Sequence, residues 1–272
     1  MQRFSGELRE LFPGRSGMLE DVEQMTGDWE ERFRRYEEIT HGEQALFQRT
    51  ERLSARYLIG SYGGKIASRV VNLSNGVVLL LNRRNVHSVP SVARAQFESC
   101  ASAVYAERRL VPLLRKQRVE EVHRVLYRLG QGTHPASGVG RFRAIPVPSL
   151  ISAMKQEADE IMAPTVAREG LPPEAEGQPY SWAIAKVYGL LSEFTHPNQP
   201  ALTLSVTDPD WVLQPPVTDR VFGLSVRPLW IGLLVGGKAL DRLLEAVEEH
   251  PMELPNVTPS FPPEEHHQSL AE

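Results

Sequence analysis

The sequence predicts an all-α protein, and three observations carry that expectation. Apolar residues recur at alternating steps of three and four, beginning with Met18, Val22, Met25, Trp29, Phe33 and Tyr36. Proline and glycine divide the chain into helix-length segments, and no repeat of solenoid length appears among them. The composition, 41% hydrophobic and 24% charged over 272 residues, is that of a globular chain able to bury a substantial core. One helical bundle is therefore expected over residues 17–250, between a flexible segment at 1–16 and a disordered tail at 251–272.

The elements follow in order. The Met18 to Tyr36 seam is a helix with one narrow apolar stripe, and Thr40-His41-Gly42 is its expected stop. A second helix carries Leu46, Phe47, Leu53, Tyr57 and Leu58 and should break at "GSYGG", Gly60 to Gly64. A third, over about 65–84, aligns Ile66, Val70, Leu73, Val77 and Leu81. A fourth starts near Pro90, where a first-turn proline costs little, and Pro112 should kink or end it. "RKQRVEEVHRVLYRLG" turns Val119, Val122, Leu126 and Leu129 inward and closes at Gly130.

Shorter helices are expected over about 148–162 and 180–195. "ALTLSV" and "DWVLQ" have strand-like composition and predict a small β-hairpin around "TDPD", before a last helix that begins at Leu229. Gly236 and Gly237 should weaken the middle of that helix by about 1 kcal/mol each relative to alanine.

Charge and cysteine content narrow the function classes. A net charge of −4 argues against a protein built chiefly to coat nucleic acid. One cysteine, Cys100, excludes an intrachain disulfide and a Cys-rich metal site, and no cofactor or metal is implied. Glu7, Arg9 and Glu10 interrupt any apolar core of a secretory signal, and "GVVLLL" is far shorter than the roughly 20 residues of a spanning helix. A cytoplasmic location without membrane contact is the expectation.

Two constellations carry the candidate chemistry. In "PSVARAQFESCASAVYAERRL", at 100° per residue, Arg94, Phe97, Glu98, Ala101 and Tyr105 share the face expected to be buried, with Gln96, Ser99, Ala103 and Glu107 opposite. An arginine and a glutamate on a buried seam must pair, and their i, i+4 spacing allows it. That pair is either a structural register device or a charged wall of a pocket between helices. "YGLLSEFTHPNQP" supplies a facing set: Ile184, Val187, Tyr188 and Leu191 form the stripe, and Ser192 and Thr195 border it. His196, in the last turn before Pro197, is placed either to cap the helix or to act as general acid or base.

The order R-A-x-x-E, at Arg94, Ala95 and Glu98, followed by Y-x-x-x-S-E-x-x-H-P-N, from Tyr188 through Ser192, Glu193, His196 and Pro197 to Asn198, resembles a group of bacterial helical proteins. These in turn resemble the HEPN-like superfamily, and the resemblance spans about residues 65–198. It implies a HEPN-like bundle, RNA or nucleotide as ligand, metal-independent RNA cleavage in a toxin or phage-defence setting, and a homodimer or an antitoxin-like partner. It points to Arg94, Glu98, Ser192 and His196 as site residues. Such ribonucleases carry an arginine four to six residues before a histidine, one stabilising phosphate charge and the other moving a proton. His196 has no such arginine. Arg118 with His123 and Arg128 with His134 do have the spacing, which chance alone supplies about twice in a chain with 8 histidines. Arg128 with His134, at a helix end beside a Gly-rich loop, is the better placed. A helical interaction or scaffold protein with a structural polar cluster is the competing expectation.

Other motifs fail on spacing. "GSYGGKI" and "VGGKAL" lack a P-loop's full pattern, and "GLSVR" lacks the last glycine of a nucleophile elbow. "ERRLVPLLRKQRVEEVHRVLYRLG" gathers seven basic residues, but Tyr127 is its only base-stacking aromatic, so a solvated face is expected there.

Overall fold

The computed structural model describes residues 1–131, 145–169, 180–195 and 215–255. Within them the protein is all-α, with eight helices and one two-stranded sheet of two residues per strand. The helices are α1 (Gly6–Leu11), α2 (Ser16–Thr50), α3 (Ala55–Asn82), α4 (Val89–Arg115), α5 (Val119–Gln131), α6 (Val147–Glu169), α7 (Tyr180–Thr195) and α8 (Pro215–Glu249). The hairpin predicted within 201–214 lies outside the described residues.

Helix α1 corrects the expectation of a flexible start. Phe4, Leu8 and Phe12 fall at steps of four and are buried, and Phe12 meets the edge of Phe222 from α8 at 5.1 Å between ring centroids. The Ser5 hydroxyl accepts from the Leu8 amide to cap the helix, while the Ser5 amide donates to Asn82 on α3. At the other end, residues 251–255 also pack: Met252 and Leu254 are buried, and Glu253–Leu254 (β2) pairs antiparallel with Leu53–Ser54 (β1). The rest of the predicted tail lies outside the described residues.

Helices α2 and α3 each run through an expected stop. At Thr40 the hydroxyl donates to the Tyr36 carbonyl, so the residue is satisfied inside the helix, and the chain turns only at Glu51, in the left-handed region at φ 56°. "GSYGG" does not break α3 because its glycines serve contact. A Cβ on Gly63 would lie 2.6 Å from Cζ of Tyr36, and one on Gly60 would lie 3.0 Å from the Thr40 hydroxyl. Here glycine lets two helices approach rather than freeing the backbone. Two buried aromatics of α2 also reach α8: Trp29 Nε1 donates to the Leu233 carbonyl at 3.0 Å and the Tyr36 hydroxyl to the Leu240 carbonyl at 2.7 Å.

Helix α8 starts well before the expected Leu229, because the turns ahead of Pro228 carry Val221, Phe222, Leu224 and Val226, all buried. Its span Asp219–Glu249 is long and apolar enough to cross a membrane, but 78% of its most apolar 18-residue window is buried inside the molecule, as in a core helix. A Cβ on Gly236 would sit 2.9 Å from Cβ of Cys100 and 3.2 Å from Trp29, so this glycine seats α8 against both α4 and α2. In α4 Pro90 opens the helix as expected, while Pro112 sits in its last turns without ending it. The helix is covered on most sides. Gln96, Ser99, Ala103 and Glu107, the face expected opposite the core, are buried, whereas Arg94 and Glu98 keep about a quarter of their side-chain surface. Phe97 and Ala101 are fully buried as expected, so both faces of the helix are enclosed, and the close approach of α8 to Cys100 and Gln96 is the physical reason its polar side is covered.

Candidate functional site

The predicted meeting of α4 with α7 occurs. Helix α7 has the expected limits, and its stripe of Ile184, Val187 and Leu191 is buried, which brings Tyr188 and Thr195 to the edge of α4. Arg94 then reaches three acceptors. Its Nε donates to Oε1 of Glu98 at 2.8 Å, one terminal nitrogen to the Thr195 hydroxyl at 2.8 Å, and the other to the Tyr188 hydroxyl at 3.1 Å. The Tyr188 hydroxyl passes its own hydrogen to the same Glu98 oxygen at 3.1 Å, and the guanidinium carbon lies 5.3 Å from the Tyr188 ring centroid.

The electrostatics follow from this geometry. Burial alone would lower the Arg94 pKa, but the bonds and charges of Glu98 and Tyr188 outweigh it and hold the value above the ordinary one. Burial and the Glu98 carboxylate both push the Tyr188 phenol up, so it stays protonated as the bridging donor. The side chains of Arg94 and Glu98 are 27% and 26% exposed, so the centre is reachable by solvent. Chemically it is a guanidinium held in one orientation beside a carboxylate and a phenol.

Ser192 is not part of this set. Its hydroxyl donates to the Tyr188 carbonyl of its own helix at 2.8 Å, and Thr195 takes the place given to it in the sequence reading. His196 and His134 lie outside the described residues. Arg128 is partly buried on α5. The other spaced pair does not assemble: Arg118 is exposed and ion-paired with Glu121, while His123 is buried with its ring edge-on to Tyr127. Burial pulls the His123 pKa down and favours its neutral form.

No family model, curated protein or solved structure matches the chain. The site therefore has to be read from its own residues.

A second polar cluster, absent from the sequence reading, joins α4, α6 and α8. Glu157 of α6 is 3% exposed and accepts from Arg108 of α4 at 3.0 Å and from Arg242 of α8. Arg242 Nε also donates to Oε1 of Glu107 at 3.1 Å, and Arg108 lies 3.4 Å from Glu160. Oε2 of Glu107 is buried without a hydrogen-bond partner among the described residues. Burial pushes the Glu107 carboxyl up, and the Arg242 guanidinium only partly offsets it. The basic segment of the sequence thus divides, Arg108 turning inward while Arg115 and Lys116 stay exposed. Cys100 is fully buried with its thiol pKa pushed well up, which fits packing rather than nucleophilic attack. "GSYGGKI" and "VGGKAL" lie inside α3 and α8, where their backbone amides serve the helices. Among the described residues no group of three or more His, Cys, Asp or Glu is placed to hold a metal ion.

Proposed function

We propose that the chain is a HEPN-like helical protein directed at RNA or nucleotide, in the toxin or defence setting that the resemblance implies. One observation supports this reading above the others. Arg94 and Glu98 of the first motif and Tyr188 and Thr195 of the second segment, about 90 residues apart in sequence, meet in a solvent-reachable centre whose guanidinium is held in place by Glu98, Tyr188 and Thr195. A preoriented arginine is the group that phosphate recognition calls for. The purified protein is expected to retain single-stranded RNA in a filter-binding assay at low salt, with the affinity falling as salt rises. Arg94→Gln should weaken that binding while circular dichroism shows the helices intact. Cleavage, if it accompanies binding, should persist in EDTA and disappear in His196→Ala or His134→Ala. A protein that neither binds nor cuts RNA would sink the reading.

A second reading has its own observation. Every nitrogen of Arg94 already donates to a protein group, so the centre also works as a latch that docks α7 on α4. Under that reading the protein is a non-catalytic interaction or scaffold protein. Arg94→Ala would then lower the melting temperature with no RNA phenotype to lose.

A further inference from the structure

The helices are joined in two different ways. Helices α2, α3, α4 and α8 interlock through backbone approach: Tyr36 fills the place of a Gly63 side chain, Gly236 seats on Cys100 and Trp29, and Trp29 and Tyr36 of α2 donate to α8 carbonyls. Among the described residues, helices α6 and α7 pack on each other and on α4 and α8, without extensive contact to α2 or α3. Side-chain bonds contribute to their docking: Tyr188 and Thr195 to Arg94, Tyr188 to Glu98, Glu157 to Arg108 and Arg242, and Glu160 to Arg108. On undocking, each of these groups exchanges a protein partner for water. The hydration regained by Glu157 offsets much of the pairing lost, so little free energy of these bonds opposes separation. Undocking also exposes the faces that Met154, Ala158, Ile184 and Leu191 bury in the common core, while apolar contacts between α6 and α7 stay with the pair.

We propose that α6 and α7 undock from α4 and α8 as one unit while the α2–α3–α4–α8 core stays folded, so that the Arg94 centre exists only in the docked state. Tyr188 and Thr195 arrive with α7, and their departure leaves Arg94 with Glu98 alone on α4. The device does not depend on RNA being the ligand. It makes the polar centre conditional on a conformational equilibrium, a property expected of cooperative units less stable than the whole.

The wild-type chain carries its own control. Its single cysteine, Cys100, lies between α4 and α8 under Gly232 and Gly236, away from the Arg94 side of α4, so thiol labelling reports opening of the core. Native-state hydrogen exchange in sub-denaturing urea should show α6 and α7 amides opening together, with a smaller urea dependence than amides of α3 and α8. Glu157→Gln should speed α6 and α7 exchange at least tenfold, while Cys100 labelling by a disulfide reagent keeps the steeper urea dependence of α3 and α8. Thr195→Val, a milder change at the other latch, should give the same pattern at smaller size. One common urea dependence for all helices and for Cys100 labelling, or no acceleration of α6 and α7 exchange in either variant, would overturn the proposal.

Discussion

The two polar clusters on α4 are built from similar groups and differ in how they are assembled. The Arg94 centre starts from a pair one turn apart on a single helix and is finished by α7, with about a quarter of its arginine and glutamate surface in water. The Glu157 cluster takes one or two residues from each of three helices, across sequence separations of 49 and 85, and keeps its central carboxylate 3% exposed. Local spacing therefore yields a half-hydrated pair that a single substitution can loosen. Assembly from distant segments yields a buried hub on which other charges depend.

That contrast is sharpest in the hub itself. Glu157→Ala leaves Arg108 and Arg242 without their shared acceptor, and removing one partner of a buried charge set costs 3–5 kcal/mol in general. A loss of about 3 kcal/mol is expected in urea denaturation followed by far-UV circular dichroism, the low end of that range, because both arginines retain some water. A loss below about 1 kcal/mol would mean the cluster behaves like a surface ion pair.

Arg94→Ala should cost less, about 1–2 kcal/mol, since three charge-assisted bonds are lost from a centre whose groups can rehydrate. Lysine should not rescue it. The three bonds leave Arg94 from three different nitrogens toward Glu98, Thr195 and Tyr188, and an ammonium presents its donors from one point. Recovery of full stability by Arg94→Lys would show that charge alone, not fork geometry, joins α4 to α7.

Glu107 separates the clusters by pH. Its carboxyl pKa is raised by burial, so the native state binds the proton more tightly than the unfolded chain does. Stability should therefore rise as pH falls through the folded-state value toward the unfolded value near 4.5, and the penalty of the ionised form is complete above the folded-state value. Glu107→Gln removes that contribution. Urea midpoints measured across mildly acidic to neutral pH should differ in slope between the two proteins, and matching slopes would remove Glu107 as a source of pH dependence.

What the sequence made legible follows the same division. The limits of α7 and the opening of α4 were readable because an apolar stripe, a first-turn proline and an i, i+4 charge pair are local signals. The ends of α2 and α3 were not, because Gly60 and Gly63 serve contact with Thr40 and Tyr36, and a glycine that makes room looks in sequence like a glycine that makes a turn. The Glu157 cluster left one weak trace: a glutamate in the stripe of Leu150, Met154 and Ala158, all of which are buried. Its partners on α4 and α8 carried no sign of belonging with it. The sidedness of α4 was misjudged because hydropathy marked Gln96, Ser99 and Glu107 as polar, while α8 closes over that side.

Ser192 offers the finest comparison, because the sequence placed it in the site and the structure places Thr195 there. Its hydroxyl bonds back to the Tyr188 carbonyl, an interaction that competes with the helix ladder instead of adding to it. Ser192→Ala should change stability by no more than about 0.5 kcal/mol, and it should leave RNA retention at the wild-type level. Thr195→Val removes an acceptor from Arg94 at the same helix end and should cost more. If alanine at 192 proves the more damaging of the two, Ser192 acts on the centre through the turn that carries Tyr188, and the division between site and support in α7 must be redrawn one turn earlier.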